Sequence, residues 1–140
     1  MDIMISESTE EEQEYIDDTL TEFNLKQVAA TQEQLWVPLS YCIKDNGAII
    51  AGINAEMYCW NIVFVDVLYV DGAYRKKGLG SLLLARVEAE AKSKGVHLVH
   101  LDTFDFQARD FYKKHGYEVF GVLDDCPKGH VRYYMKKILV

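Results

Sequence analysis

Val70-Asp71-Gly72-Ala73-Tyr74-Arg75-Lys76-Lys77-Gly78-Leu79-Gly80-Ser81-Leu82-Leu83 reads as a strand end, a basic glycine turn and a helix start, in that order. Such an order makes a cradle for a pyrophosphate. Gly78 and Gly80 let the backbone approach an anion with no Cβ in the way. The unpaired N–H groups of the first helical turn then point at it, with the positive end of the helix dipole behind them. Arg75, Lys76 and Lys77 add charge at the rim. Other phosphate loops have a different grammar: a P-loop needs Gly-Lys-Ser/Thr where Leu79 follows Gly78, and a dinucleotide fingerprint needs a third glycine where Leu83 stands. A glycine pair beside basic residues also fits a plain helix-start turn, so the surrounding chain has to decide.

Upstream, Ile62 to Val70 is nearly all apolar or aromatic, the pattern of a central strand buried on both faces, with Asp66 as its one charge. Trp36 to Ile43 and Ala48 to Tyr58 are strand-like and meet at Asp45-Asn46-Gly47, a hairpin signal because Asn-Gly tolerates positive φ. Ile3 to Ile5 reads as a short first strand, and Thr9 with Glu12 is a capping box opening an acidic helix that carries Tyr15, Ile16, Leu20 and Phe23. A second short helix is expected around Thr31 to Gln34. Downstream, Leu79, Leu82, Leu83, Val87 and Ala91 fall at helical spacing with Glu88, Glu90, Lys92 and Lys94 on the wet side, and Gly95 stops the helix. A strand from His97 to Thr103, a short helix from Gln107 to His115 ended by Gly116, and strands from Tyr117 to Leu123 and His130 to Leu139 complete the chain. Hairpins mixed with helical crossovers predict an α+β fold, a mixed sheet flanked by helices.

At 140 residues the chain suits one domain, residues 1–140, burying roughly two thirds of its unfolded surface. No apolar run approaches the roughly 20 residues of a membrane span, and the acidic start is not a signal peptide, so a cytoplasmic protein is expected with no membrane partner. The net charge of −7 argues against a nucleic-acid partner. Cys42, Cys59 and Cys126 are odd in number and far apart, and His97 and His100 fall on opposite faces of one strand, so neither a disulfide framework nor a metal site is expected.

Arg75-x-x-Gly78-x-Gly80, after a hydrophobic strand and before a leucine-rich helix, resembles the acyl-CoA-binding signature of the GNAT superfamily of N-acetyltransferases. Asp105-Phe106-Gln107-Ala108-Arg109-Asp110-Phe111-Tyr112-Lys113-Lys114-His115-Gly116-Tyr117 resembles the second signature, an Ala and a Phe-Tyr pair on a short helix stopped at glycine. Together they cover roughly residues 48 to 140; the first 47 match only in general pattern. One departure is plain: Asp105 stands where the family commonly has Asn. The tail from Gly121 to Met135 is similar to a bacterial subgroup of unassigned substrate.

The resemblance implies an acyl-CoA N-acyltransferase fold, acetyl-CoA as co-substrate with no metal, and transfer of acetyl to a primary amine by direct attack in a ternary complex. It implies cofactor contacts from Leu68, Val70, Arg75, Lys76, Lys77, Gly78, Leu79, Gly80, Ser81, Phe111 and Tyr112. An alkylammonium of pKa about 10.4 is neutral in roughly one molecule in a few thousand at pH 7, a deficit of about 4 to 5 kcal/mol that a base or water relay must cover. Asp66 sits where relatives often carry an acidic group. It acts either as that base, its pKa raised by burial, or as a strand-pairing or ammonium-binding group. Tyr112 is placed as general acid to the departing thiolate; a core aromatic beside Phe111 is the other reading of it. No acetyl-enzyme is needed, because Cys59 and Cys126 lack a sequence-local base.

The alternative class is a non-catalytic acyl-CoA-binding or sensing module, against which Tyr112 speaks. Trp36, Tyr58, Trp60 and Tyr133 are candidates to line an acceptor pocket, and the acidic balance favours a small-molecule or peptide amine over an acidic acceptor. Val119-Phe120 and Val131 to Tyr134 offer an apolar edge, from which a homodimer is expected.

Overall fold

The structure, a computed structural model, describes residue 1 and residues 3–139. The chain divides into two units, Met1–Thr31 and Gln32–Val140. The first is helix α1, Glu10–Gln27, opened by the expected capping box: the Glu12 amide donates to Thr9 Oγ1 at 3.2 Å and the Thr9 amide to Glu12 Oε1 at 2.9 Å. Glu10, Glu11 and Glu12 in its first turn and Lys26 in its last complement the helix dipole. Residues 3 to 5 form no strand: among the described residues no strand pairs with them, and all three are exposed.

The second unit holds a seven-stranded sheet. Its strands are β1 Trp36–Pro38, β2 Tyr41–Asp45, β3 Ala48–Tyr58, β4 Ile62–Val70, β5 Leu98–Phe104, β6 Glu118–Asp124 and β7 Val131–Ile138, with helices α2 Leu79–Ser93 and α3 Arg109–Lys114. The order across the sheet is β1-β3-β4-β5-β7-β6, with β2 also on β3, and every pairing is antiparallel except that of β4 with β5. The expected helix over 31–34 is absent. Gln32 there spends its side chain on the chain itself, accepting from the Asn61 amide at 2.9 Å and donating to the Gln34 carbonyl at 2.8 Å, a local bond that competes with helix. The strand expected over 36–43 is two strands, broken at Leu39-Ser40 after Pro38, which has no amide to donate. The hairpin at Asn46-Gly47 has positive φ at both residues, 49° and 82°, as a type I′ turn requires.

One face of the sheet and α2 make the core. Ala51, Ile53, Ala55 and Met57 of β3, Val63 and Val65 of β4, Val99 and Leu101 of β5 and Met135 of β7 pack with Leu83, Leu84, Val87 and Ala91 of α2. Each fully buried Leu or Val contributes about 2 kcal/mol. The helix turns Leu84 inward and leaves Leu82 exposed, because the stripe 83, 84, 87, 91 is the one that closes on the sheet. Glu88 is not on the wet side: it takes a 2.6 Å bond from Lys137 Nζ of β7 and a 3.0 Å bond from the Tyr117 hydroxyl.

Two irregularities in β4 shape everything that follows. Ala55 pairs Val65 while Asn54 pairs Val67, so Asp66 is an extra residue, a β-bulge. The bulge resets the alternation of faces. Val63 and Val65 point into the core before it and Leu68 and Val70 pack against the core after it, leaving Val67 and Tyr69 about half exposed. The expectation of a strand buried on both faces is therefore corrected: only Val63 and Val65 of β4 are buried. Second, β4 and β5 stay paired only from Ile62↔Leu98 to Val65↔Leu101. Beyond that β4 follows β3 and β5 follows β7, so the parallel pair forks at its C-terminal ends. The edge expectation also changes: β7 is interior, between β5 and β6, so Arg132 to Tyr134 is paired on both sides and β6 is the edge there.

Candidate active site

The fork is a cleft of 490 Å³. One wall is β4 from Val65 to Val70, with Arg75 beyond it; the other is Asp102 and Thr103 of β5, Phe106 to Ala108 of the turn after it, and Phe111 and Tyr112 of α3; Gly80 of α2 closes the end. Ligand clefts of open sheets lie at such points, outside the carboxyl ends of strands whose connections diverge. From Asp66 onward the β4 backbone edge facing β5 has lost its strand partner, so its amides and carbonyls are offered to whatever enters.

The glycine turn sits at one end. Asp71 Oδ1 accepts from the Ala73 amide at 2.9 Å and nucleates a 3₁₀ turn over Gly72–Tyr74. The Tyr74 hydroxyl anchors the turn to the β2–β3 hairpin by donating to Asp45 Oδ2 at 2.7 Å. Gly78 caps α2 with φ 77°, a left-handed conformation that glycine adopts without strain, and contributes no side-chain cap. The helix ladder begins with the Leu82 amide donating to the Gly78 carbonyl at 3.1 Å, which leaves the amides of Leu79, Gly80 and Ser81 for an anion.

Gly80 has a second reason to be glycine. A Cβ built there lies 3.3 Å from Phe111 Cζ and 3.8 Å from Val70 Cγ2, so β4, α2 and α3 meet at that point.

The cofactor residues expected from sequence fall into two groups. Leu68, Val70, Arg75, Gly80, Phe111 and Tyr112 line the cleft. Arg75 also donates from Nε to the Val70 carbonyl at 3.2 Å, which orients its guanidinium beside the cleft. Lys76, Lys77, Gly78, Leu79 and Ser81 lie outside the lining. Lys76 and Lys77 are exposed on the turn, with Lys77 Nζ over the Tyr74 ring at 5.5 Å. Ser81 Oγ is hydrogen-bonded to His115 Nε2 at 3.0 Å, tying α2 to the end of α3.

Tyr112 is buried and its ring packs on Phe111 and Tyr117 at 5.3 and 5.7 Å between centroids. Burial, with the nearby Asp102 charge adding to it, pushes its phenol up to about 12. The hydroxyl is therefore neutral throughout the physiological range, a standing hydrogen-bond donor. Asp66 is exposed on the bulge, at the point where β4 and β5 part. Among the described residues it has no hydrogen bond or ion pair, and it lines the cleft at its lip.

Asp102 was not singled out by sequence, although it carries the signal that picked Asp66, a lone acid in an apolar strand. By register it is the counterpart of Asp66, each being the first residue beyond the last pair, Val65↔Leu101. Arg132 of β7 grips it, from Nε at 3.0 Å and Nη2 at 2.6 Å, both to Oδ1.

Trp36, Tyr58 and Trp60 do not line the cleft. They cluster beside His100 near the start of β4, the end away from the fork, with the Tyr58 hydroxyl 2.7 Å from His100 Nε2. Tyr133 lies outside too, its hydroxyl accepting from Arg109 Nη1 at 3.0 Å. Asp105 explains its own departure from Asn. Its Oδ1 accepts from His130 Nδ1 and its Oδ2 from the Val131 amide, both at 2.9 Å, and an amide side chain has only one oxygen to offer. These bonds outweigh its partial desolvation and hold its pKa below the usual carboxylate value.

The sequence profile of the acetyltransferase (GNAT) family matches residues 2–117. A crystal structure of an acetyltransferase from Bacillus cereus ATCC 14579 superimposes with a TM-score of 0.89 at 38% identity, covering 97% of both chains. Blasticidin-S acetyltransferase of Streptomyces morookaense is 35% identical over 106 residues, 75% of this chain and 77% of that one. An aminoglycoside 6′-N-acetyltransferase complexed with coenzyme A shares the fold, with a TM-score of 0.64 at 19% identity over 91% of this chain and 83% of its own. With a forked mixed sheet and a glycine turn at the start of α2 in place, the chain belongs to the acetyltransferase (GNAT) family.

Proposed function

We propose that the protein is an acetyl-CoA-dependent N-acetyltransferase that transfers acetyl to a primary amine by direct attack. The fork carries this reading: one cleft joins an anion-binding helix start, an open strand edge and a neutral tyrosine hydroxyl. The pyrophosphate of acetyl-CoA would rest on the amides of Leu79 to Ser81 with Arg75 beside it. The amide-bearing arm of the cofactor would pair with the open edge of β4 as an added strand does. That a fold relative is complexed with coenzyme A supports the assignment.

The neutral amine nitrogen attacks the thioester carbonyl carbon, the C–S bond breaks, and the electron pair leaves on sulfur. Tyr112 donates a hydrogen bond to that thiolate. With its phenol near 12 and an alkyl thiol near 8.5, full proton transfer even to the released thiolate is uphill by about 3.5 pKa units, so hydrogen bonding is the role. The amine proton leaves through water or Asp66. No cysteine lines the cleft, in keeping with direct attack rather than an acetyl-cysteine.

The test is release of free CoA thiol from acetyl-CoA across a panel of primary amines that includes blasticidin S. Release dependent on an amine, with the N-acetyl product found by mass spectrometry, is expected. Tight acetyl-CoA binding with no amine-dependent release would favour the sensing module instead.

A further inference from the structure

Strand β5 alternates between two faces: Val99, Leu101 and Thr103 are buried on the α2 side, while His100, Asp102 and Phe104 face the other way. Phe106 continues that second face, its ring stacked on Phe104 at 5.2 Å between centroids and 8° between planes, and met by His130 nearly at right angles at 5.3 Å. The bulge at Asp66 turns β4 the same way. With Leu68 and Val70 packed against the core, Val67 and Tyr69 are left on the face away from α2. Val67, Tyr69 and Phe106 all line the cleft, and there they stay 45%, 52% and 60% exposed. Single exposed apolar side chains are ordinary on a surface, but three across one cleft mark a place that something apolar covers. Phe106 is not exposed through looseness of its turn. The Asp105 amide donates to the Val131 carbonyl, the Gln107 amide to the Phe104 carbonyl and the Phe104 amide to Gln107 Oε1, each at 2.9 Å.

The glycine turn opens α2, so a cofactor seated on it reaches the fork from the α2 face. An amine then meets the thioester from the side the cofactor leaves free, the face that carries Val67, Tyr69 and Phe106. We propose that these three form the acceptor subsite and that Phe106 selects an amine whose body carries a flat, π-bonded ring, packed against Phe106 with Val67 and Tyr69 on the opposite lip. The preference for a ring over an alkyl chain comes from Phe106, because aromatic pairs gain from offset or edge-to-face contact beyond what their buried area gives. An aromatic side chain already stacked, on a turn already hydrogen-bonded, also loses little freedom on binding. The inference rests on the acetyl-transfer reading of the same cleft.

Binding measured without turnover tests it separately from that reading. Phenethyldimethylamine and its cyclohexyl counterpart are matched in charge and chain length, and neither free amine has an N–H to acylate. Each is titrated calorimetrically into the protein saturated with coenzyme A. The saturated ring has no less apolar surface, so burial alone gives it at least equal affinity. The aromatic amine is expected to bind roughly 2- to 12-fold tighter, the scale of one aromatic pair. Phe106→Leu keeps an apolar side chain at an exposed position, and is expected to erase that preference while leaving coenzyme A affinity unchanged. Equal affinity for the two amines, tighter binding of the cyclohexyl one, no binding of either, or a preference that survives the substitution overturns the inference. So does a loss of coenzyme A affinity in Phe106→Leu, which would give this surface to the cofactor. A protein that prefers the aromatic amine yet releases no CoA with any primary amine contradicts acetyl transfer while upholding the subsite.

Discussion

Replacing Tyr112 with Phe keeps the ring packed against Phe111 and Tyr117 and removes only the hydroxyl. Two effects follow from the same buried phenol. In catalysis, loss of one hydrogen bond to a thiolate is worth about 1.5 to 3 kcal/mol, a fall of roughly 10- to 150-fold in kcat and kcat/KM together, because the bond strengthens only as sulfur leaves. That is smaller than the upper range for a true general acid, about 10⁴-fold, since a phenol near 12 does not hand its proton over. In stability, an unfolded tyrosine ionises near 10 and the native one near 12. Between those values the unfolded state has lost a proton that the native state keeps, so stability is full below pH 10 and falls as pH rises, by about 3 kcal/mol across the window. The Phe variant lacks this loss. Pre-steady-state and steady-state thiol release between pH 6 and 10, with urea unfolding from pH 9 to 12, measure both. Parent-rate turnover with chemistry limiting would refute the role at sulfur, and identical alkaline stability curves would refute the buried phenol.

Gly80→Val is expected to abolish the rise in Tm on adding acetyl-CoA, which at 100 times the dissociation constant corresponds to about 2.7 kcal/mol, because the new side chain enters the cleft end and strikes Phe111. A folded variant with unchanged affinity, by thermal shift or calorimetry, would count against the cradle. Glu88→Gln is expected to cost about 2 to 3 kcal/mol and about 10 °C in Tm, since Lys137 loses its counter-charge in a site where the two side chains are only 26% and 12% exposed. Calorimetric unfolding checks it, and a loss under about 0.5 kcal/mol would show the pair to be idle.

The strands that carry chemistry were legible because their patterns are local. β3 and β4 begin and end where apolar alternation meets Asn-Gly and the glycine turn, and α2 stops at Gly95 with φ 79°. What escaped was whatever depends on a partner. The bulge at Asp66 is a mismatch between two strands, so a single strand's sequence cannot show it. Leu82 and Leu84 look alike along the chain, and only the sheet decides which one closes the core. Glu88 reads as surface until Lys137, 49 residues on, reaches it. Asp102 was readable by the logic that chose Asp66 but lay in no recognised signature. The aromatics at 36, 58 and 60 suggested a pocket by type, yet type does not say which end of the sheet they occupy.

The fork also has a mechanical meaning. Between its halves, β1, β2, β3 and β4 on one side and β5, β6 and β7 on the other, the sheet is stitched by four residue pairs, Ile62↔Leu98 through Val65↔Leu101. Beneath them α2 is the chain's own strap, leaving the end of β4 and delivering the start of β5. Of the three seams between interior strands, β3–β4, β4–β5 and β5–β7, this one has the fewest residue pairs, so amide exchange there reports the least costly division of the sheet into halves. A ligand lying along β4 and touching α3 spans the seam from the open end. Occupancy then slows exchange in both half-sheets at once, including strands that never touch the ligand, and makes the cleft a clasp for the whole sheet.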